Sequence, residues 1–255
     1  MTRGRTPRTT PPPAPGRHAP AGRQADAQLR DFARLVCHDL HAPLRSIRGF
    51  AQLLAARHGE ELSEPGRRCA ANIVGASARM AELLDGLLRY ASLGAAGVKR
   101  QLVSLDVPLR RALRAVEDRV ADSGATVDVP RRMPALRTDE DLLATALEGL
   151  LANALEYREP GGQPQVGVTC REEPEHVVLE VRDDGIGIPA QHREKVFQAF
   201  QRLHTQEEHP GTGLGLAVVR RAAELLGGEV WIRSAPHRGC TACLRLPRQA
   251  PEPQG

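Results

Sequence analysis

The chain has 255 residues, with 35 lysines and arginines against 31 acidic residues, 20 prolines and five cysteines. No window reaches the roughly 18 uninterrupted apolar residues that a membrane-spanning helix needs, and no apolar core follows the N-terminal charges as in a secretory signal peptide. Since an odd number of scattered cysteines also argues against a disulfide-stapled scaffold, we expect one or two domains, no membrane span and a cytoplasmic location.

The first 25 residues form a basic, proline-rich segment. Residues 1–24 contain no acidic residue and five arginines: Arg3, Arg5, Arg8, Arg17 and Arg23. Because this segment has almost nothing apolar to bury, we predict a disordered tail over residues 1–25. The net charge of +4 is small and much of it lies in this tail, so the composition gives nucleic-acid binding little support.

An amphipathic helix is predicted next, from the spacing of its apolar residues. They recur three and four positions apart, at Phe32, Val36, Leu40, Leu44, Ile47, Ala51 and Leu54. At about 100° per residue, His38 projects nearly opposite the stripe that includes Leu40 and Ile47, so His38 lies outside the helix's apolar face. Pro43 removes one backbone hydrogen bond, and we expect a kink one turn after His38.

A second helix follows a predicted stop at Gly59 and a candidate N-cap at Ser63. Its apolar stripe consists of Ile73, Ala76, Met80, Leu83, Leu84, Leu87 and Leu88. Two helices joined by a short loop cannot bury both stripes alone. Residues 26–93 therefore predict a hairpin that dimerises into a four-helix bundle and displays His38 on its outside.

The pattern becomes mixed after a glycine-containing linker at residues 94–100, whose segment 94–97 is a candidate hinge. Helices are predicted near residues 106–121, 139–157 and 214–226, and strands near residues 102–105, 126–129, 135–137, 165–171, 176–182, 229–234 and 241–246. This order predicts a second domain over residues 101–247, with helices on one face of a mixed sheet, and hence an α+β fold for the chain. Residues 248–255 are predicted to be a C-terminal tail.

Two glycine clusters in the second domain adjoin regular elements. Asp183 precedes Gly185 and Gly187 directly after an apolar strand, where a carboxylate can accept a hydrogen bond from an exocyclic amine while glycines admit a flat ring. The run 211–216 opens a helix, where free N–H groups and the helix dipole suit a polyphosphate. Each cluster alone is weak, because the first is also an ordinary Asp-Gly turn and the second matches neither the P-loop nor the Rossmann spacing.

Two further clusters lie on the long predicted helix and before a polar segment. Asn153 accompanies Tyr157 on that helix, and an Asn in an apolar face needs a partner such as Mg²⁺ with phosphate oxygens. Phe197 and Phe200 precede residues 201–210, which have the composition of a flexible loop. Aromatic residues at a loop base are more typical of core packing than of ligand contact.

The order of these clusters is much more specific than any one of them. The run from His38 to Leu44, then Asn153, Asp183 to Gly187, the two phenylalanines and Gly211 to Gly215 resembles the H, N, G1, F and G2 boxes of sensor histidine kinases. The segment around residues 200–213 is most similar to the phytochrome-like branch. The resemblance covers roughly residues 28–247. It implies a dimeric phosphoacceptor bundle followed by a two-layer α/β sandwich of the GHKL (Bergerat) type, the ATP-binding domain shared with gyrase and Hsp90.

The resemblance also implies the roles of individual residues in an ATP-dependent autokinase. His38 would be the phosphoacceptor, Asp39 would take up its proton, Asn153 would bind Mg²⁺ and Asp183 would hydrogen-bond the adenine amine. The remaining nucleotide-binding residues would be Tyr157, Gly185, Gly187, Gly211, Thr212, Gly213, Leu214 and Gly215, with residues 201–210 as a mobile lid. The implied partners are a second copy of the chain and a response-regulator receiver domain that accepts the phosphoryl group on an aspartate. Since no sensor domain precedes the bundle, a separate sensor protein is expected to supply the input.

Three positions depart from the family's pattern. Gly149 stands where an Asn usually lies one turn before Asn153, and Glu156 stands where a Lys usually follows it. Either change would weaken Mg·ATP binding, with Arg158 as a candidate replacement for the lost positive charge. Ala42 stands where members with phosphatase activity carry Thr or Asn, so we do not expect that activity by the same route.

Two alternatives to the autokinase remain open. A degenerate kinase acting as a dimeric adaptor, with weak or no nucleotide turnover, is favoured by Gly149 and Glu156. A serine/threonine kinase that antagonises a sigma factor shares the nucleotide fold, but the bundle argues against it. Among the other polar residues, Cys240 and Cys243 are predicted to be buried thiols rather than a zinc site, and His41 a surface residue rather than a second acceptor.

Overall fold

The computed structural model describes residues 21–158, 163–203 and 211–248. Residues 1–20 of the predicted N-terminal tail, residues 204–210 of the predicted lid and residues 249–255 of the predicted C-terminal tail lie outside the described residues. The first helix begins at Ala21, five residues before the predicted start of the bundle.

The N-terminal part of the chain is a hairpin of two long helices, α1 (Ala21–His58) and α2 (Glu64–Ser92). The predicted cap is present, since Ser63 Oγ accepts a hydrogen bond of 3.3 Å from the N–H of Gly66. Helix α1 continues through Pro43. The side chains buried in the hairpin are mostly small: Ala33, Cys37, Leu44, Ala51, Ala70, Ser77, Leu84 and Ala91. Small residues at these positions allow the two helices to approach closely.

The rest of the apolar stripe is exposed on a single chain. Leu44 and Ala51 are buried between the helices, but other members of both stripes are exposed: Leu40, Ile47, Leu54, Ile73, Met80 and Leu83. A hairpin of this kind thus retains an apolar face that a second helical pair could cover.

The second part of the chain combines four helices with seven strands among the described residues. The elements are β1 (Gln101–Ser104), α3 (Asp106–Ala115), α4 (Glu117–Ser123), β2 (Thr126–Asp128), β3 (Ala135–Thr138), α5 (Glu140–Glu156), β4 (Gln165–Glu172), β5 (His176–Arg182), α6 (Gly215–Leu225), β6 (Glu229–Ser234) and β7 (Cys240–Pro247). Two short 3₁₀ turns, Ala190–His192 and Lys195–Phe197, lie between β5 and α6.

The single helix predicted over residues 106–121 is wrong in one respect, because the structure divides it into α3 and α4. Val116 is the junction, with φ −109° and ψ 9°, and its side chain is buried in the core. Glu117 and Asp118 then occupy the first turn of α4, where carboxylates interact favourably with the helix dipole. The apolar period continues across the break, which is why the sequence pattern alone predicts one helix.

Five strands form a mixed sheet in the order β2-β4-β5-β7-β6, and β1 and β3 form a separate antiparallel pair. Only β2 and β4 are parallel. Helices α3, α5 and α6 pack together on one face of the larger sheet, with α5 between the other two. Since α5 contacts a helix on each side and the sheet beneath it, leucines are buried around much of its circumference: Leu142, Leu143, Leu147, Leu150, Leu151 and Leu155. The predicted two-layer α+β fold is confirmed.

The linker between the hairpin and the second part is held against α5 and α6. Asp139 caps α5 through a hydrogen bond of 3.0 Å from the N–H of Leu142 to Oδ1, and its Oδ2 accepts 2.7 Å from the N–H of Lys99. Gly94 has φ +72°, and a Cβ there would lie 2.9 Å from the side chain of Leu225. The linker therefore contacts the second part at both ends.

Candidate functional site

A cavity of about 650 Å³ lies between α5, the start of α6 and the loop that follows β5. This volume is within the usual range for small-molecule sites, roughly 300–1,000 Å³. The residues predicted to bind nucleotide line it, with the exception of Gly185: Asn153, Tyr157, Asp183, Gly187, Gly211, Thr212, Gly213, Leu214 and Gly215. Segments far apart in the sequence thus meet at one cavity.

Asp183 is a buried carboxylate at the wall of this cavity, directly after β5. Its Oδ1 accepts hydrogen bonds of 2.9 Å from the N–H of Gly185 and 3.0 Å from the N–H of Cys240. Burial raises the pKa of the Asp183 carboxyl to about 6, although the two N–H donors act in the opposite direction. Since both hydrogen bonds fall on Oδ1, Oδ2 is the oxygen that can accept from a ligand.

Gly185 and Gly187, which follow Asp183, lie too close to backbone carbonyl groups to carry a side chain. A Cβ at Gly185 would lie 2.0 Å from the carbonyl oxygen of Tyr157, and one at Gly187 would lie 2.0 Å from that of Ala235. Gly185 packs against the carbonyl of Tyr157 and does not line the cavity, so its place on the ligand surface stays a prediction. Its N–H nonetheless orients Asp183, so Gly185 acts on the site indirectly.

Helix α5 supplies one wall of the cavity and carries the two departures noted in the sequence. A Cβ at Gly149 would lie 2.6 Å from Cγ2 of Val219 on α6, so this glycine allows the two helices to pack closely. Glu156 lines the cavity, and its Oε2 lies 3.9 Å from Nη1 of Arg119. Arg119 also lines the cavity, whereas Arg158 does not and donates to the carbonyl of Ser123 instead. Arg119 is therefore a cation beside Glu156, and the replacement role of Arg158 stays a prediction.

The glycine-rich segment before α6 contacts the segment that contains Phe197 and Phe200. The N–H of Phe200 donates 3.0 Å to the carbonyl of Gly213, which has φ +70°. The N–H of Leu214 donates 3.3 Å to Thr212 Oγ1. Phe197 is buried as expected for core packing, but Phe200 is 57% exposed and the core prediction is wrong for it. The first residues of α6, Gly215 and Leu216, line the cavity, and free N–H groups at a helix N-terminus can bind anions.

Helix α2 of the hairpin forms a further wall, which the sequence did not predict. Glu82, Asp85, Gly86 and Arg89 line the cavity. A Cβ at Gly86 would lie 2.9 Å from the side chain of Leu214, so the helix and the glycine-rich segment are in close contact. This wall depends on the docking of two separate parts of the chain, for which a local sequence pattern contains no signal.

His38 and Asp39 lie outside the cavity. The His38 side chain is 87% exposed, and its Nδ1 lies 3.2 Å from Oδ1 of Asp39. In the neutral tautomer that donates from Nδ1 to this carboxylate, the lone pair is on Nε2. Adjacent helical positions do not generally face each other, so spacing alone does not predict this contact.

Cys240 and Cys243 of β7 belong to no metal-binding cluster among the described residues. Cys240 and Cys243 are buried as predicted, and burial raises the pKa of the Cys240 thiol to about 12. Cys240 also lines the cavity beside Asp183. Within the described ranges, no group of three or more His, Cys, Asp and Glu side chains is arranged to hold a metal ion, and no helix is long and apolar enough to cross a membrane.

The cavity suits a nucleotide and a hard cation that the nucleotide would carry. Asp183 offers an acceptor for an amine, and α6 offers N–H groups for phosphates. Asn153, Glu148 and Glu156 present amide and carboxylate oxygens along the wall formed by α5, and Mg²⁺ prefers oxygen ligands. Since Mg²⁺ usually keeps waters and substrate phosphates as ligands, it does not need a closed protein cage.

Comparison with known proteins identifies both parts of the chain. Residues 28–96 match the family model of the His Kinase A (phospho-acceptor) domain, and residues 138–250 match that of the histidine kinase-, DNA gyrase B- and HSP90-like ATPase. The helical hairpin and the mixed sheet with its cavity are thus a phosphoacceptor domain and an ATPase-type domain. The chain belongs to the sensor histidine kinase family.

Individual relatives agree with this assignment. The chain is 31% identical over 224 residues to the phytochrome-like protein Cph1 of Synechocystis sp., which covers 88% of this chain and 30% of the relative. It is 33% identical over 225 residues to the sensor protein CreC of Escherichia coli, covering 86% of this chain and 46% of the relative. The chain therefore spans less than half the length of these relatives.

Two solved histidine kinase structures are similar to this chain in fold. Full-length ShkA in complex with AMPPNP superposes with a TM-score of 0.61 at 25% identity, covering 87% of this chain and 47% of that one. The mycobacterial sensor histidine kinase MprB superposes with a TM-score of 0.51 at 29% identity, covering 60% of this chain and all of that one.

Proposed function

We propose that this chain is an ATP-dependent autokinase that phosphorylates His38 and passes the phosphoryl group to an aspartate on a response-regulator receiver domain. The main support for this function is the position of Asp183, a buried carboxylate that lines a cavity of about 650 Å³. The phosphoacceptor-type hairpin lies in the same chain and provides the exposed His38.

The cavity residues form two groups, one that binds the adenine of ATP and one that binds its phosphates. Asp183 Oδ2 accepts a hydrogen bond from the exocyclic amine of adenine, while Oδ1 is held by Gly185 and Cys240. The N–H groups at the start of α6 hold phosphate oxygens. Asn153 offers its side-chain oxygen to Mg²⁺, which neutralises charge on the transferred group when it is bound. Arg119 offsets the negative charge of Glu156 on the same wall, which supports a functional site over a degenerate one.

His38 can act as the nucleophile without strong activation. Its Nε2 forms a bond to the γ-phosphorus as the bond between that phosphorus and the β,γ-bridging oxygen breaks, which leaves Mg·ADP. The positive charge that develops on the imidazole is stabilised by Asp39, which accepts from Nδ1–H and takes up that proton. The product is a phosphoramidate, whose phosphoryl group is then transferred to a carboxylate of the receiver domain.

Transfer within one chain requires a domain movement, because His38 does not line the cavity in this structure. Gly94 and Gly97, which both have positive φ, are the positions in the linker that can change conformation most readily. We assign the hinge to this segment. The exposed apolar faces of α1 and α2 support a homodimer in which these faces pack into a four-helix bundle.

The test is autophosphorylation with ATP labelled at the γ-phosphate, in the presence of Mg²⁺. Wild type should acquire label that survives alkali and is lost in acid, and the label should then pass to a cognate receiver domain. His38→Gln should retain nucleotide binding and lose the label, whereas Asn153→Ala should lose label through loss of Mg·ATP. A folded dimer that binds nucleotide but acquires no label would support the adaptor function instead.

A further inference from the structure

His41 links the two helices of the hairpin next to the cavity. Its Nε2 lies 3.4 Å from Oδ1 of Asp85 on α2, and its side chain is only 22% exposed. His41, predicted to be a surface residue, is half-buried, because the imidazole turns toward α2. Among the described residues, this is the only ion pair that joins α1 to α2.

Asp85 connects His41 to the nucleotide cavity. A groove of about 190 Å³ between α1 and α2 is lined by His41, Asp85 and Ser77, together with two arginines of α1. Asp85 lines both this groove and the cavity of about 650 Å³, and it is the one residue common to the two. A change of charge on His41 therefore acts on a carboxylate that also faces the nucleotide.

The charged groups around His41 come from both helices. Asp85 of α2 and Arg45 and Arg48 of α1 line the groove beside the imidazole. The Cys37 thiol is one turn away and is also affected by Asp85, since burial and that carboxylate together raise the pKa of the thiol. Among these groups, Asp85 is the one in contact with the imidazole.

The position of Asp85 along α2 places its charge beside the segment assigned to phosphate binding. The next residue, Gly86, packs against Leu214 at the start of α6. One turn further on, Arg89 pairs with Glu148 across the same cavity wall, at 2.7 Å. A carboxylate at this place repels an anionic ligand, and a cation that neutralises it removes the repulsion.

We propose that His41 is a positioning residue for the nucleotide and acts through Asp85. Protonated His41 neutralises Asp85, so that a nucleoside diphosphate or triphosphate binds more tightly, and neutral His41 leaves Asp85 to repel the phosphates. Histidine changes its charge between about pH 5 and 8, so the affinity for nucleotide decreases as the pH rises through this range. The inference rests on the proposed nucleotide-binding function.

The test is a calorimetric titration with Mg·ADP at pH values of about 6 and about 8. Wild type is compared with His41→Gln, which is neutral at both values, and with Asp85→Asn. The protonation of ADP itself and of Asp183 is common to all three proteins, so these effects cancel when the ratios of affinity at the two pH values are compared. The ratio should be about twofold to fivefold larger in wild type than in His41→Gln, as for other partly exposed charge pairs.

The second variant separates an electrostatic role of His41 from a structural one. The ratio of the ADP affinities at the two pH values should be as small in Asp85→Asn as in His41→Gln. Asp85→Asn should also bind ADP more tightly than wild type at the higher pH. Equal ratios in all three proteins, with ADP binding intact, would overturn the role of His41 and leave the proposed function standing. An absence of ADP binding by folded wild type at both pH values would overturn both.

Discussion

Arg89 of α2 and Glu148 of α5 form an ion pair, with Nη1 and Oε1 2.7 Å apart, that joins the phosphoacceptor hairpin to the ATPase-type domain. Gly86, one turn before Arg89, packs against Leu214 in the same contact. His38 is exposed and lies outside the cavity. These contacts therefore hold the two domains in an arrangement in which the phosphoacceptor is separated from the nucleotide site.

Removing this ion pair should favour the arrangement in which phosphoryl transfer occurs. We expect Arg89→Gln to raise the initial rate of His38 labelling about 1.4-fold to fivefold, because an exposed pair stabilises by roughly 0.2–1 kcal/mol. The measurement is the initial rate of labelling at saturating ATP. Arg79→Gln is the matched control on the same helix, since Arg79 forms no ion pair with another described residue. A lower rate in Arg89→Gln alone would show that the pair promotes transfer.

Asp183 is expected to determine nucleotide affinity more strongly than any other single side chain. Asp183→Asn keeps an oxygen for the N–H groups of Gly185 and Cys240 and replaces the oxygen facing the cavity with a donor. Since a hydrogen bond to a charged group contributes about 1.5–3 kcal/mol, the affinity for Mg·ADP should decrease roughly 10- to 100-fold. Calorimetry measures this change. Unaltered affinity in a folded variant would exclude Asp183 from nucleotide recognition.

The same substitution should alter how stability depends on pH. The pKa of Asp183 is about 6 in the folded chain, above its ordinary value of 3.8. Between these two pH values the native state binds more protons than the unfolded state. The Asp183 carboxylate therefore destabilises the fold as the pH rises. In the absence of nucleotide, Asp183→Asn should therefore be more stable than wild type at neutral pH, by at most about 3 kcal/mol. The difference should disappear toward about pH 4, as thermal unfolding across this range would show. A variant less stable than wild type at neutral pH would contradict this account.

Gly149 is expected to be required for the packing of α5 on α6. A Cβ at Gly149 would lie 2.6 Å from Cγ2 of the buried Val219. Gly149→Ala should lower the free energy of unfolding by about 1 kcal/mol, because overpacking costs about 1–3 kcal/mol and the gain in helix propensity offsets about 1 kcal/mol. Gly49→Ala is the matched control, since a Cβ at this helical glycine meets nothing within 4 Å, and it should be stabilising. Urea denaturation measures both, and equal stabilisation by the two substitutions would disprove the close contact.

The exposed apolar face of the hairpin should be required for dimerisation. Ile47 of α1 lies seven residues from Leu40 and from Leu54 on this face and is 48% exposed in the single chain. Ile47→Glu should convert the dimer to a monomer in sedimentation equilibrium, because burying an unpaired carboxylate in the bundle is strongly unfavourable. Leu53→Glu is the control, since Leu53 is 46% exposed on a different face of α1. Loss of the dimer in both variants would assign the interface elsewhere.

The type and order of the regular elements could be predicted because each depends on a local period. The alternation in His176–Arg182 predicts β5 with the bounds that the structure has, and Asp139 marks the start of α5 because it is a capping residue. The break at Val116 could not be predicted in this way, since the apolar period runs through it and the tertiary packing of Val116 decides the conformation.

The candidate site could be predicted where its chemistry depends on a residue type, as for Asp183 and Asn153. It could not be predicted where it depends on contacts between distant segments. The pairing of Glu156 with Arg119 and the wall formed by Asp85 arise from the packing of separate helices. Gly185 shows the converse, because the sequence indicates that a glycine is needed and only the structure shows that the carbonyl of Tyr157 is the reason.

In the proposed reaction, His38 accepts the phosphoryl group through the nitrogen that faces away from Asp39. Phosphorus and nitrogen NMR of the labelled chain, recorded in alkali, identifies the phosphorylated residue and the nitrogen that carries the group. Because Asp39 lies 3.2 Å from Nδ1, we expect a single phosphohistidine at position 38 with phosphorus bound to Nε2. Phosphorus on Nδ1 of His38, or on another residue, would contradict it.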